Sequence, residues 1–273
     1  MQRNKLIVPF FKYLFSRPQI LLKALYHGVS AADRKDFVIK NYGFSNGLPE
    51  IDLLDLIPQF NVEIKNFTHL YGTSLPIDIA LLKALAGRIP DCDFLEIGTW
   101  RGESISNMAE VCRSCYSVSL SDEEMKAIGY DEKYTRVQRF FSKNLPNVKH
   151  IEANSMTFDF SSLDKKFDLI FVDGDHRFDA VKSDTAKVFE LLKDENSIIV
   201  WHDYAIQYEH IDWNVLAGIL AGAPAKKRGN ILHVTNTLCA VYLPGNHKIH
   251  NRDFPSVPNK KFSISISGQA LNS

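Results

Sequence analysis

Apolar residues recur at helical spacing over residues 20–26 and again over 51–57, with a polar, glycine-containing stretch at 42–49 between them. The spacing predicts amphipathic helices, and residues 1–70 read as an N-terminal helical appendage. A more regular region opens at Tyr71-Gly72-Thr73-Ser74. Ser74 suits an N-cap and Pro76 a first helical turn, predicting a helix that runs through Ala86 and is stopped by Gly87 and Pro90.

From Phe94 the pattern alternates between short apolar runs and helical stretches. Residues 94–97 predict a strand, 103–111 a helix and 116–120 a second strand, which is the start of a βαβ series. A helical region at 123–144 precedes a third strand at 148–153. The fourth, at 167–172, is apolar throughout, as a strand buried on both faces should be. Residues 179–192 place Ala180, Val181, Val188, Leu191 and Leu192 on one helical stripe. A fifth strand follows at 197–201 and a helix near 213–220; the runs 231–234 and 238–243, joined through Asn236-Thr237, predict an antiparallel hairpin. Residues 71–245 are thus one α/β domain with a mostly parallel, doubly wound sheet, and residues 246–273, rich in Ser, Asn and Lys, a loosely held C-terminal tail.

Composition narrows the classes. Of the 273 residues, 45% are hydrophobic and 23% charged, enough to build a core and too apolar for disorder. Lys plus Arg equals Asp plus Glu at 32 each, so no global field favours nucleic acid, which is not expected as a partner. No stretch approaches the roughly 20 apolar residues of a spanning helix, and Pro9 and Lys12 interrupt the apolar N-terminus, so no integral membrane association is expected. Among the cysteines only Cys112 and Cys115 stand in C-x-x-C spacing. A zinc site would need two more ligands at matching spacing, and four unpatterned thiols suit a cytoplasmic location.

In an open doubly wound sheet, ligands bind beyond the carboxyl ends of the strands. The first strand exit reads Glu96-Ile97-Gly98-Thr99-Trp100-Arg101-Gly102. Gly98 lets the backbone turn tightly beside a ligand, and Gly102 lets the next helix begin close to the sheet. A side chain at Gly98 is therefore expected to block the ligand and leave the fold intact. The G-x-G-x-x-G pattern is missing and Trp100 would crowd a pyrophosphate, which disfavours a nicotinamide cofactor. The fourth and fifth exits read Asp173-Gly174-Asp175-His176 and Trp201-His202-Asp203-Tyr204. They deliver Asp173, Asp175, His176, His202 and Asp203 to one edge, a convergence more telling than any single capping acid.

Taken in order, these three strand-end segments resemble those of class I S-adenosylmethionine-dependent methyltransferases. More narrowly, they are similar to the macrocin-type sugar O-methyltransferases and the bacterial group sharing a VDGDH…HDY pattern, over residues 71–243. The resemblance implies a Rossmann-like, seven-stranded sheet of order 3-2-1-4-5-7-6. It places Glu96, Gly98 and Gly102 against S-adenosylmethionine and Asn154 and Ser155 on its adenine side; Thr99, Trp100 and Asp173 are expected around the cofactor as well. Tyr71, Thr73 and Arg101 are further candidates near the cofactor. Ser119 takes the place of the acid that usually holds the ribose, with Asp122 three residues on, and His202 stands where the macrocin-type enzymes carry Asp.

Methyl transfer to oxygen needs in-line attack by an activated hydroxyl in a site that excludes water. Asp173 and Asp203, with His202 assisting, are the expected ligands of Mg²⁺ or another divalent metal, and Asp175, His176 and His202 the expected catalytic groups. The acceptor is a small molecule or a sugar-containing one, by resemblance, and a homo-oligomer is left open. Competing classes are a hydroxylase-like relative using the same acids, revealed by dependence on oxygen and a 2-oxo acid, and a noncatalytic cofactor-binding scaffold. Lys5, Lys12, Arg17 and Lys23 lie among Phe10, Phe11, Tyr13, Leu14, Phe15, Ile20, Leu21 and Leu22. That segment could lie in a membrane interface; Pro9 and Pro18 divide it, which favours helices that pack on the domain and cover the acceptor side of the pocket.

Overall fold

The computed structural model describes residues 18–271, with side chains from Ser30 onward. The basic, aromatic N-terminal segment therefore lies outside the described residues, apart from the backbone of α1 (Pro18–Tyr42).

Nine strands form the main sheet, in the order β11-β1-β9-β10-β6-β5-β2-β3-β4. They are β1 (Glu50–Ile51), β2 (Asp93–Ile97), β3 (Ser114–Ser119), β4 (Val148–Glu152), β5 (Leu169–Val172), β6 (Ile198–Trp201), β9 (Ile231–Val234), β10 (Ala240–Tyr242) and β11 (Ile249–His250). β7 (Ala205–Gln207) and β8 (His210–Ile211) pair separately as a small hairpin. Strands β4, β3, β2, β5 and β6 are parallel, and β10 runs antiparallel between β6 and β9. The sequence predicts seven strands and the sheet has nine: β1 and β11 extend the β9 edge. Both are two residues long, too short to leave a periodic signal.

Apolar residues alternate between the two faces of the central strands. Leu95, Ile97, Ile170, Val172, Ile199 and Trp201 enter one core with residues of α7 (Phe178–Phe189) and α8 (Trp213–Gly222). Phe94, Leu169, Phe171 and Val200 enter the other, against Leu81, Leu82 and Leu85 of α3 (Pro76–Ala86) and Ile105 and Met108 of α4 (Glu103–Met108). Burying both faces explains why β5 carries no polar residue. The helix α1 packs against α8, and its Phe37 meets Phe178 at the start of α7 edge-on, ring centres 5.7 Å apart.

Three local expectations are corrected. Residues 51–57 are a strand residue, the Asp52 cap and the four-residue α2 (Leu53–Leu56). Tertiary bonds override the helical spacing, because Ile51 O accepts Thr235 N and Leu53 N donates to Thr235 Oγ1. The stretch 123–144 is two short helices, α5 (Asp122–Ala127) and α6 (Glu132–Thr135), followed by turns. Gly129 and Arg139 adopt left-handed backbone there, and Arg139 N and Phe141 N donate to Trp100 O and Arg101 O instead of continuing a helix. At α3 the N-cap is Leu75, whose N–H donates to Asp78 Oδ2, and Ser74 is free for another role. All four cysteines are buried and free. Among the described residues no helix is long and apolar enough to cross a membrane.

Candidate active site

The turn after β2 is shaped by what it touches. Gly98 has φ +100°, and a Cβ there would lie 2.1 Å from the carbonyl oxygen of Asp173. Gly102, at φ +80°, is closed off in the same way by Ser142, whose Oγ would be 2.3 Å away. Glu96 is fully buried at the strand end, where Thr99 Oγ1 donates to Oε1 and Ser104 Oγ to Oε2, and Thr99 Oγ1 also meets Ser117 Oγ at 2.6 Å.

Burial raises the Glu96 carboxyl to about 7, the charge of Asp173 adding to it and the two hydroxyl donors opposing it. Glu96 thus holds its proton more tightly folded than unfolded. That stabilisation is complete below the ordinary value of 4.5 and is lost as pH rises through 7, a loss of about 3 kcal/mol. Glu96→Gln cannot titrate and still bonds both hydroxyls, so its thermal stability relative to the wild type should climb between pH 5 and pH 8. Melts that differ by the same amount at both ends of that range would contradict the assignment.

Residues 68–74 cross over this turn as a strap. The buried Arg101 donates from Nη2 to Tyr71 O at 3.1 Å and to Thr73 Oγ1 at 2.6 Å, and pairs through Nε with Glu103 Oε2 at 3.2 Å. Glu103 in turn accepts from Thr68 N at 2.9 Å and Thr73 Oγ1 at 3.0 Å. Arg101 and Thr73 therefore tie the strap down, while the Tyr71 ring projects from it, 92% exposed. Gly72 rests on the Trp100 ring, which stacks on Tyr134 at 6.1 Å and carries the Arg101 guanidinium 4.4 Å above its centre. Packing fixes the Trp100 ring, yet its buried Nε1–H has no partner.

More unpartnered atoms lie toward β3 and β4. Ser119 Oγ at the end of β3 is buried without a hydrogen bond, as is Ser142 Oγ beside Gly102. Asp122 faces the Arg139 guanidinium at 3.8 Å, and Arg139 also pairs with Glu152 at 2.9 Å. Asn154 folds into an Asx turn, its Oδ1 accepting from Met156 N at 3.0 Å. Ser155 gives its carbonyl to Lys187 Nζ. Asp184, missed in the sequence because it sits mid-helix in α7, is 1% exposed, and burial raises it to about 6.

The exits of β5 and β6 carry the acids. His202 is buried, with Nδ1 at 2.9 Å from Asp203 Oδ2 and 3.1 Å from Asp173 Oδ1, and Nε2 at 3.1 Å from Asp78 Oδ2. Burial alone would lower the pKa of this imidazole, but Asp173 first, then the bonds to Asp203 and Asp78, hold it well above the usual value. Against its own burial, Asp203 is held below the usual carboxylate range by His202 and by the charge of His176. Its φ of +52° turns the side chain back toward the cluster, where His176 Nδ1 also meets Oδ2 at 3.1 Å. Ser74 Oγ donates to Asp173 Oδ2 at 3.3 Å, the role that displaces it from the helix cap. Asp173, His202 and Asp203 offer ligand atoms all within 4.8 Å of one another.

Asp175 stands apart. Its carboxylate accepts from Arg177 N at 2.8 Å and Arg177 Nε at 2.7 Å, so it closes a turn ahead of α7. Asp78 and Ser74, which do reach the cluster, come from the segment before β2 and carry no strand-end signature.

Residues 95–204 match the family model of a methyltransferase domain. No curated protein matches the chain. Among solved structures, the YcgJ protein of Bacillus subtilis is similar at 16% identity and a TM-score of 0.33, over 46% of this chain and 49% of that one. The chain thus spans about half the length of that protein. A TehB-like SAM-dependent methyltransferase from Corynebacterium glutamicum matches at 12% identity and a TM-score of 0.42, over 64% of this chain and 90% of that one. An amino pentose methyltransferase from Micromonospora echinaspora, solved with SAM bound, matches at 17% identity and a TM-score of 0.34, over 51% and 58% of the two chains.

Proposed function

We infer that this chain, whose residues 95–204 belong to a methyltransferase domain family, moves the methyl group of S-adenosylmethionine to a hydroxyl oxygen of a small-molecule or sugar-containing acceptor. The observation that carries this reading is the meeting of Asp173, His202 and Asp203 beside the Gly98 turn, where Asp173 N donates to Ile97 O at 2.8 Å. Cofactor turn and acid cluster are thereby adjacent along one sheet edge.

S-adenosylmethionine would lie over Gly98 and Gly102, with the carboxyl groups of Glu96 and Asp173 facing it and the strap 68–74 shielding it from water. Ser119 Oγ and Trp100 Nε1, buried and unpartnered, are donors available to its ribose and amino-acid portions. Asn154 and Ser155 lie at the β4 exit, on the adenine side.

Two carboxylates and one imidazole nitrogen form a donor set that fits a divalent ion. The nitrogen favours Mn²⁺, Fe²⁺ or Zn²⁺ over Mg²⁺, which prefers oxygen. A bound ion would lower the pKa of the acceptor hydroxyl and orient it. Asp173 and Asp203 both approach Nδ1 of His202, and the three would hold the ion together. His176, oriented through Nδ1 by Asp203, has Nε2 as the nitrogen to take the acceptor proton. Asp175, engaged by Arg177, is not needed for that step.

Calorimetry with S-adenosylhomocysteine, followed by methyl transfer to a panel of hydroxylated acceptors with and without chelator, tests the reading. Expected are cofactor-product binding and chelator-sensitive turnover. Turnover indifferent to chelator would leave His176 as general base without a metal, and failure to bind S-adenosylhomocysteine would remove the reading altogether.

A further inference from the structure

The histidine at the centre of the acid cluster is gripped from outside the matched segment. Asp78 lies in the first turn of α3 and is fully buried. Its Oδ1 accepts from Leu238 N at 2.9 Å, and its Oδ2 accepts from Leu75 N at 3.2 Å and lies 3.1 Å from His202 Nε2. The carboxylate is thus fixed both to the start of α3 and to the chain entering β10. The edge of the His202 ring is further confined by Phe171, with centres 5.9 Å apart and planes at 69°.

An imidazole has only two nitrogens, and a half-turn of this ring about χ2 would put carbons where both now stand. The bond to Asp78 and the approach to Asp173 and Asp203 would be lost together. Capping α3 does not require a carboxylate, since a neutral amide at N3 also accepts from the N-cap N–H, and a fully buried carboxylate carries a desolvation cost that a neutral cap avoids. What only a carboxylate supplies here is acceptors on both oxygens at once, one for Leu238 N and the other for Leu75 N together with Nε2–H, and the last of these fixes the ring's orientation and makes the opposite nitrogen a better donor to a metal.

We propose that Asp78 is a positioning residue that holds His202 through Nε2–H and so presents Nδ1 to the space between Asp173 and Asp203, preforming a divalent-ion site. This rests on the metal-assisted reading given above. The ion site is then assembled by two parts of the chain: β5 and β6 provide the ligands, and α3 orients one of them.

Mn²⁺ binding to the full-length protein, followed by the electron paramagnetic resonance of the free ion, tests this without any acceptor. Asp78→Ala should bind Mn²⁺ on the order of 10- to 100-fold more weakly than the wild type. Asp78→Asn, which loses the charge and can accept from Nε2–H only by turning its NH2 toward Leu238 N, should fall between the two, at least about threefold weaker. S-adenosylhomocysteine affinity should stay unchanged in both, which a general loss of structure would not allow. If Asp78→Ala does not fold, the near-isosteric Asp78→Asn carries the test. Mn²⁺ affinity in Asp78→Asn within twofold of the wild type overturns the role of Asp78 alone, whereas a wild-type protein that binds no Mn²⁺ overturns the metal-assisted reading on which it rests.

Discussion

Asp173→Ala and Asp203→Ala are each expected to lower methyl transfer at least a hundredfold and to weaken divalent-ion binding, while Asp175→Ala keeps turnover within about threefold of the wild type. The contrast comes from what each carboxylate touches. Asp173 and Asp203 both approach His202 Nδ1, and Asp203 also orients His176, so removing either takes away a ligand and disturbs the group beside it. Asp175 faces Arg177, and that pair is largely solvent-exposed, worth at most about 1 kcal/mol to the turn. Steady-state kinetics on the three variants, beside thermal melts, separates the cases. If Asp173→Ala and Asp203→Ala turn over at the wild-type rate, these acids only cap the ends of their strands. If Asp175→Ala falls as far as the other two, the proton acceptor has been misplaced at His176.

That contrast also marks where the sequence was informative. The Gly98 turn, the Asp173 segment and the His202-Asp203 pair were legible because each ends a strand whose neighbours are apolar, and in a doubly wound sheet such ends share one edge by topology alone. Which of five ionisable groups turn inward is decided by backbone geometry that no motif encodes. Asp203 is brought round by a left-handed φ, and Asp175 is drawn off by a neighbour two residues away. Asp78 was not legible at all, because it meets His202 across 124 positions of sequence and looks, on its own, like an ordinary acid in a first helical turn. The same limit hid β1 and β11. Pairing of residues 50–51 with 249–250 on one side and with β9 on the other rests on cross-strand partners, including the buried Glu50 against His233 of β9, and not on any local pattern.

Gly98→Val is expected to unfold the protein at ordinary temperature or to lower its melting point by on the order of 10–20 °C, and so to lose cofactor binding as a consequence of losing the fold. From sequence alone, a side chain at this position was expected to intrude on the ligand and spare the structure. The structure shows backbone instead: an added Cβ would sit 2.1 Å from Asp173 O, 2.5 Å from Asp173 C and 2.6 Å from Gly174 Cα. None of these atoms can swing aside, since Asp173 N is tied to Ile97 O and the strands β2 and β5 are paired up to this point. To the collision is added a β-branched residue at φ +100°, a further strain of roughly 1–3 kcal/mol. Gly129 separates the two contributions, because it has the same φ of +100° with nothing within 4 Å of where its Cβ would be. Gly129→Ala should therefore cost only about 1 kcal/mol, the conformational share, while Gly98→Ala, which lacks the β-branch, should still cost several times more. Melting curves of the two alanine variants decide the matter: equal, small losses would mean that β5 can move away from the turn, and that Asp173 is less firmly placed than its part in the site requires.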